Sequence, residues 1–182
     1  MLDMPLTTRA VLRPLEPRHA QEFAAHLDRA RAHIRPWVGP SFIAPGLDGA
    51  KATLTRYAEA TARDGARIFG LWDAGTLVGG VMFVEFSAAS GGCEIGCWLE
   101  PSSEGRGHIT AAVEVLLAYA FEERGLHRAE WRCRSDNERS IAVARRLGMM
   151  WEGELREAWP VDGVFYNKSL WSILDREWAA RV

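Results

Sequence analysis

A glycine-punctuated run from Glu94 to Gly148 constrains this chain more than any other feature. Glu94-Ile-Gly-Cys-Trp-Leu99 has strand character, Glu100-Pro-Ser-Ser-Glu104 breaks it, and Gly105-Arg-Gly-His-Ile-Thr110 leads straight into an amphipathic segment. Apolar residues recur at Ile109, Ala112, Val113, Leu116, Leu117 and Ala120, one face of a helix, and Gly125 supplies a stop. A Gly-x-Gly turn at a helix N-terminus can aim several free backbone N–H groups at a phosphate. The same glycines serve in many proteins only to turn a strand-to-helix corner. Next comes the strand-like Arg128-Ala-Glu-Trp-Arg-Cys-Arg134, then Ser135-Asp-Asn-Glu-Arg-Ser140 leading into Ile141-Ala-Val-Ala-Arg-Arg-Leu-Gly148. Ser135 with Glu138 fits a capping box and Gly148 a C-terminal cap, so the run predicts strand–helix–strand–helix.

This order (Glu-Ile-Gly-x-Trp-Leu, x-Gly-Arg-Gly-x-x-Thr, Cys-Arg-x-Asp-Asn-x-x-Ser, Ala-Arg-Arg-Leu-Gly) resembles the GNAT acyl-CoA-dependent N-acyltransferases. It is similar to their RimJ/RimL branch, whose known members acetylate the N-terminal amine of ribosomal proteins. Glu94 to Gly153 carries the resemblance, with further matches at Thr8-x-x-x-Leu12-Arg13-Pro14 and Ile34-Arg-Pro-Trp37. It implies an α/β (α+β) fold over residues 1–182 as a single domain. Its central sheet would be mixed, mostly antiparallel, flanked by helices, and splayed between the fourth and fifth strands, here Glu94–Leu99 and Ala129–Arg134.

The resemblance implies acetyl-CoA as cosubstrate and no metal. The Gly105, Arg106, Gly107, His108, Ile109 and Thr110 turn would hold the pyrophosphate, and pantetheine would lie between the splayed strands in a form of strand addition. A backbone N–H near Trp98 or Leu99 would face the thioester oxygen. Asn137 would hold pantetheine, and Ser140 would protonate the departing thiolate. Read without the family, Asn137 caps the helix and Ser140 sits in its first turn. Arg145 and Arg146 either reach the CoA 3′-phosphate or form a solvated helix face. Glu104 departs from the family, which commonly places Gln or Arg there, and a carboxylate beside a diphosphate is unfavourable unless it turns to solvent.

An α-amine, with pKa near 7.7–8.0, is already partly neutral at physiological pH, whereas a lysine near 10.4 needs far more help. Weak base provision therefore suits a protein N-terminus or a similarly low-pKa amine. Glu94 and Glu157 are the candidate bases, and each also reads as an exposed structural carboxylate. RimL-type enzymes are thought to use a glutamate at the position that is Trp159 here. Trp159 and Trp37 are the candidate acceptor-site residues, with Glu157 two residues before Trp159 and so on its face of a strand. No nucleophile–base pair stands out, which favours direct transfer in a ternary complex.

The remaining sequence narrows the alternatives. A length of 182 residues fits one domain, and a formal net charge of −2 excludes a global basic field for nucleic acid. Cys93, Cys97 and Cys133 lack zinc or disulfide spacing and read as packed strand residues in a reducing compartment. No signal layout or membrane-length apolar run is present, so a cytoplasmic protein without membrane association is expected. A homodimer is common among relatives. Arg9–Arg13 predicts a strand, Pro17–Arg31 and Asp48–Arg63 helices, and Arg67–Trp72 with Thr76–Phe86 a hairpin. Met149–Glu154 and Val164–Leu174 predict strands joined through Trp159–Gly163, followed by a short polar helix. The Pro- and Gly-rich Ile34–Gly49 loop, with Trp37 and Phe42, is the expected acceptor loop. Three rival functions stay open: a small-molecule amine acceptor, a different donor such as succinyl-CoA, and a non-catalytic acyl-CoA-binding module.

Overall fold

A computed structural model describes residues 3–39 and 42–181. Pro40 and Ser41 of the expected acceptor loop lie outside them. Eight strands form one sheet in the order β1-β2-β3-β4-β5-β6-β8-β7. These are β1 (Met4–Pro5), β2 (Ala10–Pro14), β3 (Arg67–Asp73), β4 (Thr76–Ser87), β5 (Gly92–Leu99), β6 (Arg128–Arg134), β7 (Met150–Val161) and β8 (Val164–Leu174). The short β1 was not foreseen, so the expected fourth and fifth strands are β5 and β6.

Every pairing is antiparallel except β5 with β6, which are parallel. That pairing runs only from Gly92↔Arg128 to Ile95↔Trp131. Beyond it β5 stays on β4 as far as Gly79↔Leu99, and β6 stays on β8 as far as Arg134↔Lys168. The two strands therefore part, as the resemblance implied.

Helices α1 (Ala20–Ile34) and α2 (Gly46–Ala62) cover one face, and α3 (His108–Ala118) and α4 (Glu138–Arg146) the other. On α1 the buried residues Ala20, Phe23, Leu27, Ala30 and Ile34 recur at helical spacing. They pack with Leu54 and Tyr57 of α2 on Ile68, Trp72, Met82 and Trp98. Phe69, Leu71, Phe83, Ile95 and Trp131 face Ile109, Val113, Leu116 and Leu117 of α3. Each large apolar side chain buried this way contributes about 1.5–3 kcal/mol. A short helix, α5 (Asp175–Ala179), ends the described chain.

Three local expectations are corrected. The Ser135–Glu138 capping box does not form; Asn137 is the cap of α4, its Oδ1 accepting the Ser140 N–H at 3.1 Å. Trp159 and Pro160 belong to β7, and the turn shrinks to Asp162-Gly163, both with positive φ. On β7 the register slips between Leu155 and Trp159: Leu155 opposes Lys168 and Trp159 opposes Tyr166, so four steps on β7 match two on β8. This bulge carries Glu157, at φ +53.

Candidate active site

The parting strands open a cavity of about 840 Å³. One wall is the turn before α3. Gly105 and Gly107 have φ of +74 and +77, and a Cβ on either would meet nothing within 4 Å. Gly107 is the N-cap of α3, whose first internal bond is Ala111 N–H to Gly107 O at 3.1 Å. The N–H groups ahead of Ala111 have no intrahelical acceptor. The open space over both glycines and the N–H groups gathered there fit an anionic diphosphate.

Side chains of the turn have other tasks. Arg106 donates to Asp73 at 2.6 Å and to Ser102 O at 3.0 Å. His108 is buried, and both ring nitrogens lack a hydrogen-bond partner; Nε2 stands 3.8 Å from Asp73. Ile109 packs into the core, and Thr110 Oγ1 accepts from Arg146 at 3.1 Å. Glu104 is paired rather than solvated: Arg139 donates to it at 2.7 Å, and His33 Nε2 lies 2.7 Å away. Burial alone would raise its pKa, but these two hydrogen bonds and their charges outweigh it and hold the carboxyl below its ordinary value.

Just past β5, Glu100 N–H donates to Val78 O of β4 at 2.9 Å. Ladder alternation then turns the Trp98 N–H toward β4 as well, and the Cys97 and Leu99 N–H groups toward the split. Of the two N–H groups expected to face the thioester, that of Leu99 points toward the split and that of Trp98 does not. The Trp98 indole enters the α1–α2 core, 2 % exposed, and donates to His26 Nε2 at 3.0 Å. Burial lowers the His26 pKa, so the ring is neutral with its proton on Nδ1, facing Glu100 at 3.4 Å. An added Cβ at Gly80 would come within 2.1 Å of Phe69 O and 2.3 Å of the Trp98 ring, so glycine there lets the indole lie against β4.

Across the split, Ser140 Oγ accepts from Trp131 Nε1 at 2.9 Å, so its hydroxyl proton points away from the indole, on the side of the Cys133 thiol. The Cys133 thiol also meets Ser140; burial raises its pKa more than that contact lowers it. Burial pushes Cys97 up to about 12. Neither cysteine is a thiolate near neutral pH, and the nucleophile of a covalent route is missing from both.

At the opposite mouth stands Glu94, its side chain 17 % exposed and 3.3 Å from Arg132. Burial raises its pKa and outweighs the Arg132 charge. Trp37 and Trp159 line the same cavity. Arg134 lies between Trp37 and Tyr166, 4.5 and 3.6 Å from their ring centres, and Lys168 sits 5.3 Å over Trp159. Arg35 pairs with Asp162 at 2.7 Å and ties the start of the Ile34–Gly49 loop to the β7–β8 turn. Glu157 does not join them. The bulge breaks the two-residue alternation, leaving Glu157 exposed and outside the cavity lining, with its N–H bonded to Asn167 Oδ1 at 3.0 Å.

Sequence reasoning missed Trp131, His26, His33 and Arg139, whose roles depend on contacts between distant segments. It also passed over Asn167, which donates to Glu154 at 2.7 Å and so holds both sides of the bulge. We expect Asn167→Ala to raise the acceptor KM about fivefold, as loss of one charge-assisted hydrogen bond allows. Trp159→Ala should act similarly, and the double variant should fall well short of the product of the two. Steady-state kinetics of the three variants check this.

Among the described residues, no group of three or more His, Cys, Asp or Glu is arranged to hold a metal, and no helix is long and apolar enough to cross a membrane. The family model "Acetyltransferase (GNAT) domain" matches residues 9–150. The chain therefore belongs to the GNAT acetyltransferase family and is an N-acetyltransferase. It is 30 % identical over 186 residues to "Putative ribosomal N-acetyltransferase YdaF" of Bacillus subtilis (strain 168), covering 98 % of each chain. Its fold superposes on a crystal structure called "Probable acetyltransferase" with a TM-score of 0.87, at 28 % identity and 98 % and 99 % coverage. It superposes on RimL, a ribosomal L7/L12 alpha-N-protein acetyltransferase in complex with coenzyme A, with a TM-score of 0.88. There the identity is 20 %, with 94 % and 97 % coverage.

Proposed function

We propose that this chain, acting as one domain over 1–182, transfers the acetyl group of acetyl-CoA to the α-amine of a protein N-terminus by direct attack in a ternary complex. The observation that carries the reading is the split itself. It sets a glycine cradle at one end of the cavity, a serine hydroxyl oriented by the Trp131 indole along it and a half-buried carboxylate at the far mouth. In this reading the Gly105–Thr110 N–H groups hold the diphosphate and Asn137 borders the pantetheine. The Leu99 N–H polarises the thioester carbonyl. Glu94 takes the proton of the amine, and Ser140 gives its own to the departing sulfur.

Two features favour a polypeptide acceptor. A single base of raised pKa matches a low-pKa α-amine better than a lysine. Beyond Glu94, the half-exposed Arg128, Glu130, Arg132 and Glu152 pair with one another across β6 and β7 and offer a polar surface along which a chain could lie. The name carried by the B. subtilis relative agrees. A competition of N-terminal peptides against small amines, with acetyl-CoA as donor and products identified by mass spectrometry, tests it. Acetylation of small amines in preference to every peptide would replace the protein acceptor.

The cradle has its own test. Valine at position 107 must adopt a left-handed backbone and puts a side chain into the space over the turn. We expect Gly107→Val to weaken CoA binding more than tenfold, about 1.4 kcal/mol, in a variant that still melts cooperatively. Calorimetric titration with CoA measures it.

A further inference from the structure

Glu104 occupies the one place in the cradle loop where a carboxylate should hinder an anion, and its partners show how the chain accommodates it. His33 from the last turn of α1 and Arg139 from the first turn of α4 converge on the same Glu104 oxygen, each at 2.7 Å. Arg139 Nη1 lies 3.1 Å from His33 Nε2, and a guanidinium can only donate, so Glu104 is the acceptor that holds the cluster together. All three side chains line the cavity, and Glu104–Arg139 joins its two walls, the cradle loop and the helix that carries Ser140. Arg139 is half-exposed, paired with Glu104 beside His33, with its guanidinium 6.0 Å from the Trp37 ring centre. Of the other arginines lining the cavity, Arg106 is bound to Asp73, Arg132 to Glu130 and Glu94, Arg146 to Thr110 and Ala142 O, and Arg56 lies 5.6 Å over the Tyr57 ring; Arg139 is the one whose anionic partner belongs to the cradle loop.

We propose that Arg139 is the side chain that engages the diphosphate of acyl-CoA, and that Glu104 is the resident anion it leaves to do so. A diphosphate offers more charge and more acceptor oxygens than one carboxylate, and a guanidinium matches phosphate geometry in a bidentate manner. Glu104 keeps His33 as its partner after the exchange, so the carboxylate is not left bare beside the incoming charge. Glu104 thus acts as a specificity element, weakening CoA binding by competing for Arg139. The inference rests on the acetyl-CoA reading above.

Calorimetric titration of the full chain with CoA and with S-acetylpantetheine, which lacks the diphosphate, tests it. Arg139→Gln should weaken CoA about tenfold and leave S-acetylpantetheine unchanged, and Arg139→Lys should recover part of the loss. Glu104→Gln, which keeps a carbonyl for His33, should tighten CoA about threefold, and this gain should vanish when Arg139→Gln is also present. Weaker CoA binding by Glu104→Gln, or equal effects of Arg139→Gln on both ligands, would make the cluster a structural staple and overturn the inference. A wild-type chain that binds no CoA would remove the reading beneath it.

Discussion

Ser140→Ala is expected to lower kcat about a hundredfold while leaving the affinity for acetyl-CoA within about twofold, a loss within the usual range for one acid–base group. The hydroxyl accepts from Trp131 at 2.9 Å, which fixes its oxygen and points its proton away from the indole. The capping of α4 does not depend on that hydroxyl, because the bond there runs from the Ser140 backbone N–H to Asn137 Oδ1. Alanine therefore removes the proton donor and keeps the cap. The unpaired Trp131 Nε1 costs stability, about 1–3 kcal/mol for a buried donor left without a partner. A melting curve separates that cost from turnover. Wild-type kcat in a destabilised Ser140→Ala enzyme would leave the residue with a structural task alone.

Glu94→Gln should have an effect of similar size, but one that depends on pH. Burial raises the Glu94 pKa above that of a free carboxyl, against the pull of Arg132, which brings the base nearer to the amine it serves. With the carboxylate present, kcat/KM is supported between the Glu94 pKa and that of the acceptor amine, near 7.7–8.0. Without it, only amine that is already neutral reacts, and that fraction falls about tenfold for each pH unit below the amine pKa. The ratio of wild type to Glu94→Gln should thus be about a hundredfold at pH 6 and under about tenfold at pH 9. A ratio independent of pH would assign Glu94 to positioning Arg132. Glu157→Gln serves as the contrast, since the bulge holds Glu157 outside the cavity, and it should retain the wild-type profile.

The contrast between Glu94 and Glu157 marks how far the sequence could be read. Glu94 lies on β5, whose own alternation is unbroken, and it lines the cavity. Glu157 lies where β7 spends four steps against two of β8, and nothing in Leu155-Arg-Glu-Ala-Trp159 announces that slip. The cradle glycines were legible because a left-handed turn before a helix constrains residue type directly. The place where β5 and β6 part was not legible from spacing and came from the family resemblance alone, since the pairing ends inside two uninterrupted strands. The Ser135–Glu138 box looked plausible, but Asn137, two residues on, caps α4 instead. His26 under Trp98 and His33 beside Glu104 are contacts across 72 and 71 residues, beyond any local pattern.

The central claim is that amine and thioester meet directly in the split, with no acetyl group resting on the enzyme. Initial rates measured over a grid of acetyl-CoA and N-terminal peptide concentrations test it most directly. The account predicts intersecting double-reciprocal lines and an unmodified intact mass for enzyme incubated with acetyl-CoA alone. Parallel lines together with an acetylated enzyme, the modification falling on Cys97 or Cys133, would contradict it.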